Sequence, residues 1–364
     1  VKVLVTGAAG FIGSNLVHYL SKHRPAWKIT ALDLLTYAGN IKNISSLIDA
    51  DKISFSRTDI ADASAINALF EEEKFDLVFH LAAESHVDRS IMSAMEFVRT
   101  NVVGTQALLD AAFNNKVGRF VHISTDEVYG SLGPTGRFHE TTPLDPTSPY
   151  ASSKAASDLM VLSFCKTHRF NASVTRCTNN YGPFQFPEKL IPLFVTNALE
   201  DKKLPLYGDG MNVRSWIYVT DHCDALLRVA ENGKLGEVYN IGGSEESELP
   251  NCDVTHLILN LLGKPKDLIQ QVADRPAHDR RYAVDYSKIK AELGWEPATT
   301  FAKGIEHTIS WYKMNRSWWE EIKSGDYTSY YDRNYSNRGA VTLAAGNGKV
   351  GKRSKESEDP SVRR

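Results

Sequence analysis

Several large classes of protein are excluded by what this chain lacks. It has four cysteines, Cys165, Cys177, Cys223 and Cys252, and none forms a Cys-x-x-Cys pair. Neither a zinc cage nor a redox dithiol is signalled, and reduced, buried thiols are expected. The eleven histidines are scattered without a His-Glu-x-x-His, so no metal site is expected. No apolar run approaches the roughly 20 residues needed to span a bilayer. A formal net charge of -2 gives no general attraction to nucleic acid or to an anionic membrane. The chain opens directly on an apolar run, Val1 to Thr6, without the charged and then apolar pattern of a leader. A cytoplasmic protein is therefore expected. No internal repeat falls at a solenoid period.

What is present is length and alternation. The 364 residues suit one large domain or two intimately joined ones with a sizeable core. Short apolar runs at Lys2 to Val5, Ile29 to Leu32, Ile53 to Phe55, Leu77 to Leu81, Phe120 to Ile123 and Ala172 to Thr175 alternate with longer helical patterns, the first from Gly13 to His23. That alternation predicts βαβ units, hence an α/β fold with a doubly wound parallel sheet. After Arg176 the texture becomes turn-rich and more aromatic, which predicts a smaller substrate-binding C-terminal lobe. Val238 to Ile241 reads as one more sheet strand, so the two parts are expected to interleave. Trp311 to Trp319 reads as one helical, aromatic packing surface. The segment 339–364 has no aromatics and dense mixed charge, the composition of a disordered tail or a cloning remnant.

The first strand runs into Thr6-Gly7-Ala8-Ala9-Gly10-Phe11-Ile12-Gly13, which opens the first helix. Gly7 permits a tight turn, Gly10 lets backbone approach a pyrophosphate, and Gly13 allows close helix–sheet packing. Asp33 falls at the end of the second strand, where a carboxylate can bind ribose hydroxyls and repel a 2′-phosphate. No Arg follows it immediately, so NAD is expected rather than NADP. The reading is a Rossmann-type NAD-binding domain over 1–177, with a returning segment near 216–243, and a mainly substrate-binding lobe over 178–338.

Ser124-Thr125-Asp126-Glu127-Val128-Tyr129-Gly130 follows the strand Phe120 to Ile123, which therefore ends in a hydroxyl and two adjacent carboxylates. Ligands of open α/β sheets bind beyond such strand ends. Farther on, Tyr150 and Lys154 are four residues apart and share one helix face. Ser148 suits the cap and Pro149 the first helical position, which would fix where Tyr150 points. Free tyrosine, with a pKa near 10, is a poor base at neutral pH. A nearby cation such as Lys154 lowers it, oxidised nicotinamide would add to that charge, and Tyr150 can then take a proton from a sugar hydroxyl while hydride leaves for NAD. Asp126 and Glu127 are more than oxidation needs. Adjacent carboxylates in a partly dry cleft repel, so one can stay protonated, and an acid plus a base suffices to eliminate water beside a ketone.

The Gly-x-x-Gly-x-x-Gly spacing with Tyr-x-x-x-Lys resembles the extended short-chain dehydrogenase/reductase superfamily. That resemblance implies cofactor contacts at Phe11, Ile12, Thr36, Asp59, Ile60, Leu81, Ala82, Ala83, Thr100 and Asn180, besides the glycines, Asp33, Tyr150 and Lys154. The run Thr125 to Gly130, with Ala82-Ala83-Glu84-Ser85-His86-Val87-Asp88-Arg89-Ser90, resembles the dTDP-glucose 4,6-dehydratase family. The likeness extends from Val1 to about Glu321. It includes Asn179 to Pro183, Pro187 to Leu193, Pro205 to Gly210 and Asp274 to Tyr282. Related epimerases and decarboxylases lack the Asp of the acid pair.

The family implies oxidation of C4 of dTDP-glucose by Tyr150 and NAD, with Thr125 on the C4 oxygen. Glu127 then takes the C5 proton, Asp126 protonates the departing C6 hydroxyl, and hydride returns to C6. By the same resemblance Ser85 and Asn179 touch the sugar or its phosphate. Lys189, Leu190, Pro205 and Tyr207 line the nucleotide pocket, and Arg214, Arg275 and Tyr282 meet the diphosphate. A homodimer through the Tyr150 helix and its neighbour is implied too. The family reaches a nucleotide-contacting Asn sooner after Gly242-Gly243; here Ser244 to Pro250 precede Asn251, so the pocket near the pyrophosphate is expected to differ. Alternatives left open are a UDP-glucose 4,6-dehydratase, an NDP-sugar 4-epimerase, and a non-catalytic NAD-sensing scaffold.

Overall fold

The computed structural model describes residues 1–274 and 279–324. Its first six strands are β1 (Lys2–Thr6), β2 (Lys28–Leu32), β3 (Ile53–Ser56), β4 (Leu77–His80), β5 (Arg119–Thr125) and β6 (Ala172–Cys177). Then come β7 (Asn179–Tyr181), β8 (Leu204–Tyr207), β9 (Val213–Tyr218), β10 (Val238–Ile241), β11 (Glu248–Pro250) and β12 (Ile269–Val272). Seven of them form one parallel sheet in the order β10-β6-β5-β4-β1-β2-β3.

Strand periodicity explains why this sheet is covered on both faces. Successive side chains of a strand point to opposite sides, and here both sides are apolar. Val3 and Val5 join one buried cluster, with Leu16, Leu20, Leu226 and Val229. Leu4 between them joins the other, with Phe70, Leu108 and Val161. Parallel strands buried on both faces read as continuous hydrophobic runs, which is how they stood out in the sequence.

The chain leaves β1 toward β3 and returns to β4 on the other side of β1. The order therefore reverses between β1 and β4, and a crevice opens at their carboxyl ends. The interleaving expected at Val238 is present: β10 is the sheet's edge, with Val238 opposite Val174 of β6. The helix Val219–Asn232 packs on the same sheet. The strands between β6 and that helix leave the main sheet: β9 pairs with β7 on one side and β11 on the other, and β8 pairs with β12. Those strands belong to a second core containing Tyr181, Phe194, Trp216, Phe301, Tyr312 and Trp319.

The aromatic stretch at Trp311 is two helices, not one. Phe301–Met314 ends at Asn315, whose amide donates to the Trp311 carbonyl at 2.9 Å, and Arg316–Ile322 starts anew. The break lets Trp318 fold back on Trp311 at 5.0 Å between ring centres. Among the described residues no helix is long and apolar enough to cross a membrane, and no group of His, Cys, Asp and Glu could hold a metal ion. Cys165, Cys177 and Cys223 are free and buried, and Cys252 is free and half-buried. The expected tail at 339–364 and Arg275 lie outside the described residues.

Candidate active site

The turn after β1 is shaped by close approach. Gly7 has φ +68°, and a Cβ there would lie 2.8 Å from the Ala82 nitrogen. A Cβ at Gly13 would lie 2.0 Å from the Gly7 carbonyl oxygen, so the first helical turn is pressed onto the glycine turn. The Thr6 hydroxyl accepts the N–H groups of Leu81 and Ala82 at 3.2 and 3.1 Å, fixing the end of β4 against β1. Asp33 ends β2 and is buried. Its carboxylate accepts the Ala9 N–H at 2.9 Å and the Leu35 N–H at 2.8 Å. Burial pushes its pKa up, and the N–H groups of Leu35, Ala9 and Gly10 draw it back. A glycine cradle at a helix N-terminus with an acceptor at the next strand end fits the pyrophosphate and ribose of a dinucleotide.

The acid pair is set by a second strand end. β5 stops at Thr125, whose hydroxyl accepts the Glu127 N–H at 3.2 Å and caps the short 3₁₀ turn Asp126–Tyr129. The helix Pro149–His168 begins as the sequence predicts. The Ser148 hydroxyl accepts the Ala151 N–H at 3.1 Å, with Pro149 in the first turn. This start points Tyr150 and Lys154 at β5. The Lys154 ammonium donates to the Ile123 carbonyl at 2.8 Å, and the Tyr150 ring meets Phe97 edge-on at 6.3 Å.

Burial dominates the electrostatics. It pushes Asp126 up to about 8, and the adjacent Glu127 charge adds to the rise. It brings Lys154 down to about 8, opposed by the charge of Asp158 one turn farther along the helix. Asp158 is itself held by Arg176 at 2.9 Å. The expectation that Lys154 lowers Tyr150 needs correction. In the protein alone, burial and then the Glu127 charge hold the Tyr150 hydroxyl well above its ordinary value, and a hydrogen bond from Thr125 only eases it. The charge of oxidised nicotinamide, expected from the sequence beside that of Lys154, would act against this rise.

One cleft of about 460 Å³ gathers every catalytic, cofactor and substrate residue expected from the sequence except Arg275, which lies outside the described residues. On the β1–β2–β4 side lie Gly7, Gly10, Phe11, Ile12, Gly13, Asp33, Thr36, Asp59, Ile60, Leu81, Ala82, Ala83 and Thr100. Thr100 is presented by a π-helical stretch, Val98–Gly104. Thr125, Asp126, Glu127, Tyr150, Lys154, Asn179 and Asn180 hold the middle. Ser85, Lys189, Leu190, Pro205, Tyr207, Arg214, Asn251 and Tyr282 line the far side. The Asn180 side chain is held in place: its amide nitrogen donates to the Thr178 carbonyl at 3.0 Å, and its oxygen lies 2.9 Å from His222 Nδ1. Arg214 lies over the Tyr282 ring at 4.4 Å. The segment before Asn251 is absorbed as a 3₁₀ turn, Glu245–Ser247, and as β11 paired to β9, so Asn251 still reaches the cleft.

Buried polar atoms are almost always paired. Here the cleft walls hold Ser124 Oγ, Asp126 Oδ2, Thr178 Oγ1, Asn179 Oδ1, Trp216 Nε1 and Asn251 Oδ1, each buried without a partner among the described residues. That concentration describes a site built for a polar ligand. Ser124, Thr178 and Trp216 were not singled out from the sequence. Trp216 carried a usable signal, since it stands two residues beyond Arg214 on β9 and so shares its face.

A doubly wound sheet with a glycine cradle at β1 and Tyr-x-x-x-Lys at β5 defines an extended short-chain dehydrogenase/reductase. The comparisons narrow it further. The GDP-mannose 4,6 dehydratase family model matches residues 4–308. A dTDP-glucose 4,6-dehydratase of Streptomyces antibioticus is 54% identical over 326 residues, 88% of this chain and 95% of that protein. One from Escherichia coli is 47% identical over 362 residues, 93% and 99% of the two chains. The crystal structure of a dTDP-glucose 4,6-dehydratase from Streptomyces venezuelae, with NAD and dTDP bound, matches with TM-score 0.85 and 48% identity, covering 89% of this chain and 100% of that one. The chain belongs to the dTDP-glucose 4,6-dehydratase family.

Proposed function

We propose that this chain converts dTDP-glucose to dTDP-4-keto-6-deoxyglucose and water, with NAD retained through the cycle. The observation that carries the reading is the buried Asp126 carboxyl, held protonated near neutral pH beside the more open Glu127. An oxidoreductase has no use for that acid next to its Tyr–Lys pair; a dehydratase needs it.

The glycine cradle with Phe11 and Ile12, Asp33, Thr36, Asp59, Ile60, Leu81, Ala82, Ala83, Thr100 and Asn180 would hold NAD. Bound NAD supplies a hydride acceptor for C4, a positive nicotinamide charge near Tyr150, and the hydride returned at C6. Tyr150 takes the C4 hydroxyl proton, with Lys154 stabilising the phenolate and Thr125 hydrogen-bonding the C4 oxygen. The C4 ketone acidifies the C5–H bond. Glu127 removes that proton, Asp126 gives its own to the C6 hydroxyl, and water leaves. Glu127 then returns the proton to C5.

Ser85 and Asn179 bind the sugar or its phosphate. Lys189, Leu190, Pro205, Tyr207 and Asn251 hold the nucleotide, and Arg214, Tyr282 and Arg275 the diphosphate. An Arg fork binds phosphate oxygens in pairs. We assign 1–177, with the returning segment near 216–243, to the cofactor domain and 178–338 mainly to the substrate lobe.

The working form is a homodimer. Met92, Met95 and Leu159 are 67%, 73% and 58% exposed, on helices that pack on one another around the Tyr150 helix. Large apolar side chains exposed on adjoining helices support an interaction site there. Free thiols suit the reducing cytoplasm.

Incubation with dTDP-glucose deuterated at C4 tests the reading. The product should carry the label at C6. Label returned to C4 would mean an epimerase, and binding of NAD without turnover of any NDP-glucose would mean a scaffold.

A further inference from the structure

Glu188 lies in the segment that leads from β7 to the helix Leu190–Leu199, and its side chain is only 2% exposed. Glutamate is almost never buried this deeply unless it is paired. Its partners come from two other parts of the chain. The Tyr37 hydroxyl donates to Glu188 Oε1 at 3.2 Å. Tyr37 sits in the loop beyond Asp33, between Thr36 and Ala38, which both line the cleft. His86 Nε2 and Arg89 Nε approach Glu188 Oε2 at 3.6 and 3.9 Å, from the start of the helix Val87–Met92 just past Leu81 to Ser85.

The Tyr37 ring is held as well. The Arg89 guanidinium lies 3.7 Å from its centre, and Phe186, two residues before Glu188, meets it edge-on at 5.7 Å. The next residue, Lys189, donates to the Ser85 carbonyl at 3.2 Å. A strap from the substrate lobe is thus tied to both loops that flank the ribose-binding end of the cradle.

We propose that Glu188, Tyr37, His86 and Arg89 form a clasp across the adenosine end of the cofactor site that retains the dinucleotide between turnovers. This rests on the reading that the cleft binds NAD. None of the four is used by the acid–base steps above. Burial lifts Glu188 to about 7, and Lys189, Arg89 and the Tyr37 hydroxyl draw it down, so its charge depends on the contacts that close the clasp. A dinucleotide leaving between the Asp33 loop and the strap must part those contacts. Truncating one partner of a buried charge pair acts mainly on the dissociation rate.

Exchange of bound NAD tests this. Full-length wild type, Glu188→Gln and Tyr37→Phe are loaded with NAD, separated from free nucleotide and chased with isotopically labelled NAD, with replacement followed by mass spectrometry. Exchange should be about ten-fold or more faster in Glu188→Gln and about five-fold faster in Tyr37→Phe, which loses only the hydroxyl bond to a charged acceptor. Tyr37→Phe keeps the ring against Arg89, so it decides the matter if Glu188→Gln does not fold. Wild-type exchange rates in folded Tyr37→Phe overturn the clasp and leave the cofactor reading intact. A wild-type protein that takes up no NAD overturns both.

Discussion

Asp126 and Glu127 are neighbours in sequence but not in environment: Asp126 is 2% exposed, while Glu127 stays half-open to the cleft. The 3₁₀ turn that follows Thr125 buries one carboxyl and leaves the other more open, with both residues lining the cleft. Like charges this close cannot both ionise easily, and burial decides which one keeps its proton. Acid and base are thereby assigned by position rather than by residue type.

Asp126→Asn and Glu127→Gln should therefore block elimination while sparing oxidation at C4. Turnover should fall by about 10²–10⁴-fold, the usual worth of a general acid or base. In deuterated water, Glu127→Gln should lose exchange at C5, and Asp126→Asn should keep it. Full turnover in both variants would leave the dehydration chemistry without its groups.

The pH dependence has a defined sign. Burial raises the folded pKa of Asp126 to about 8 from its ordinary 3.8, so the stability tied to its protonated form is complete below about pH 4 and lost as pH rises from there to about 8. Lys154, held at about 8, gives up its charge in the same range. Activity should decline above about pH 8, and Asp126→Asn should flatten the fall in melting temperature between about pH 4 and 8. A wild-type rate that is level to about pH 10 would contradict the burial seen for both groups.

Tyr150→Phe should lose at least about 10²-fold in kcat while still binding nucleotide, because the ring against Phe97 remains and only the hydroxyl goes. Lys154→Met should be as damaging to oxidation, since burial and Glu127 already hold the Tyr150 hydroxyl high. Single-turnover rates of C4 oxidation separate these variants from the carboxylate ones, in which that step survives.

The sequence was most informative where structure is local. Ser148, Pro149, Tyr150 and Lys154 are one capped helix start, and Gly7 to Gly13 is one turn, so spacing alone placed them. The groups that escaped it depend on distant partners. Asn180 is held by His222, 42 residues on, and Tyr37 meets Glu188 across 151 residues. The rise at Tyr150 in the protein alone was hidden for a related reason. The helix told which cation was near, but not how deeply the fold would bury the hydroxyl. The inserted acidic run before Asn251 looked disruptive because its pairing with Val213 to Ser215 is non-local.

The nucleotide pocket should prefer dTDP-glucose over UDP-glucose moderately. Leu190, Leu193, Phe194, Pro205 and Leu206 give that side of the cleft apolar walls. Thymine differs from uracil by one methyl, worth about 1–3 kcal/mol in such a pocket. A kcat/KM ratio near one would remove this wall from the account of specificity.

Asp33 should make the choice between NAD and NADP. Its carboxylate is fixed by the Ala9 and Leu35 N–H groups, so it cannot swing aside to admit a 2′-phosphate. No Arg follows it, only Leu34 and Leu35. Juxtaposing like charges costs several kcal/mol, so NADP should bind at least about 100-fold more weakly than NAD. Asp33→Asn keeps an acceptor for the loop and removes the charge. It should narrow that ratio chiefly by improving NADP binding, with a modest fall in the melting temperature of the free protein, because the new NH2 group faces one of the two N–H donors that the carboxylate accepts. If the variant instead loses NAD affinity with no gain for NADP, Asp33 acts by holding the loop between β2 and the glycine turn, and the discrimination must be sought elsewhere in the cleft.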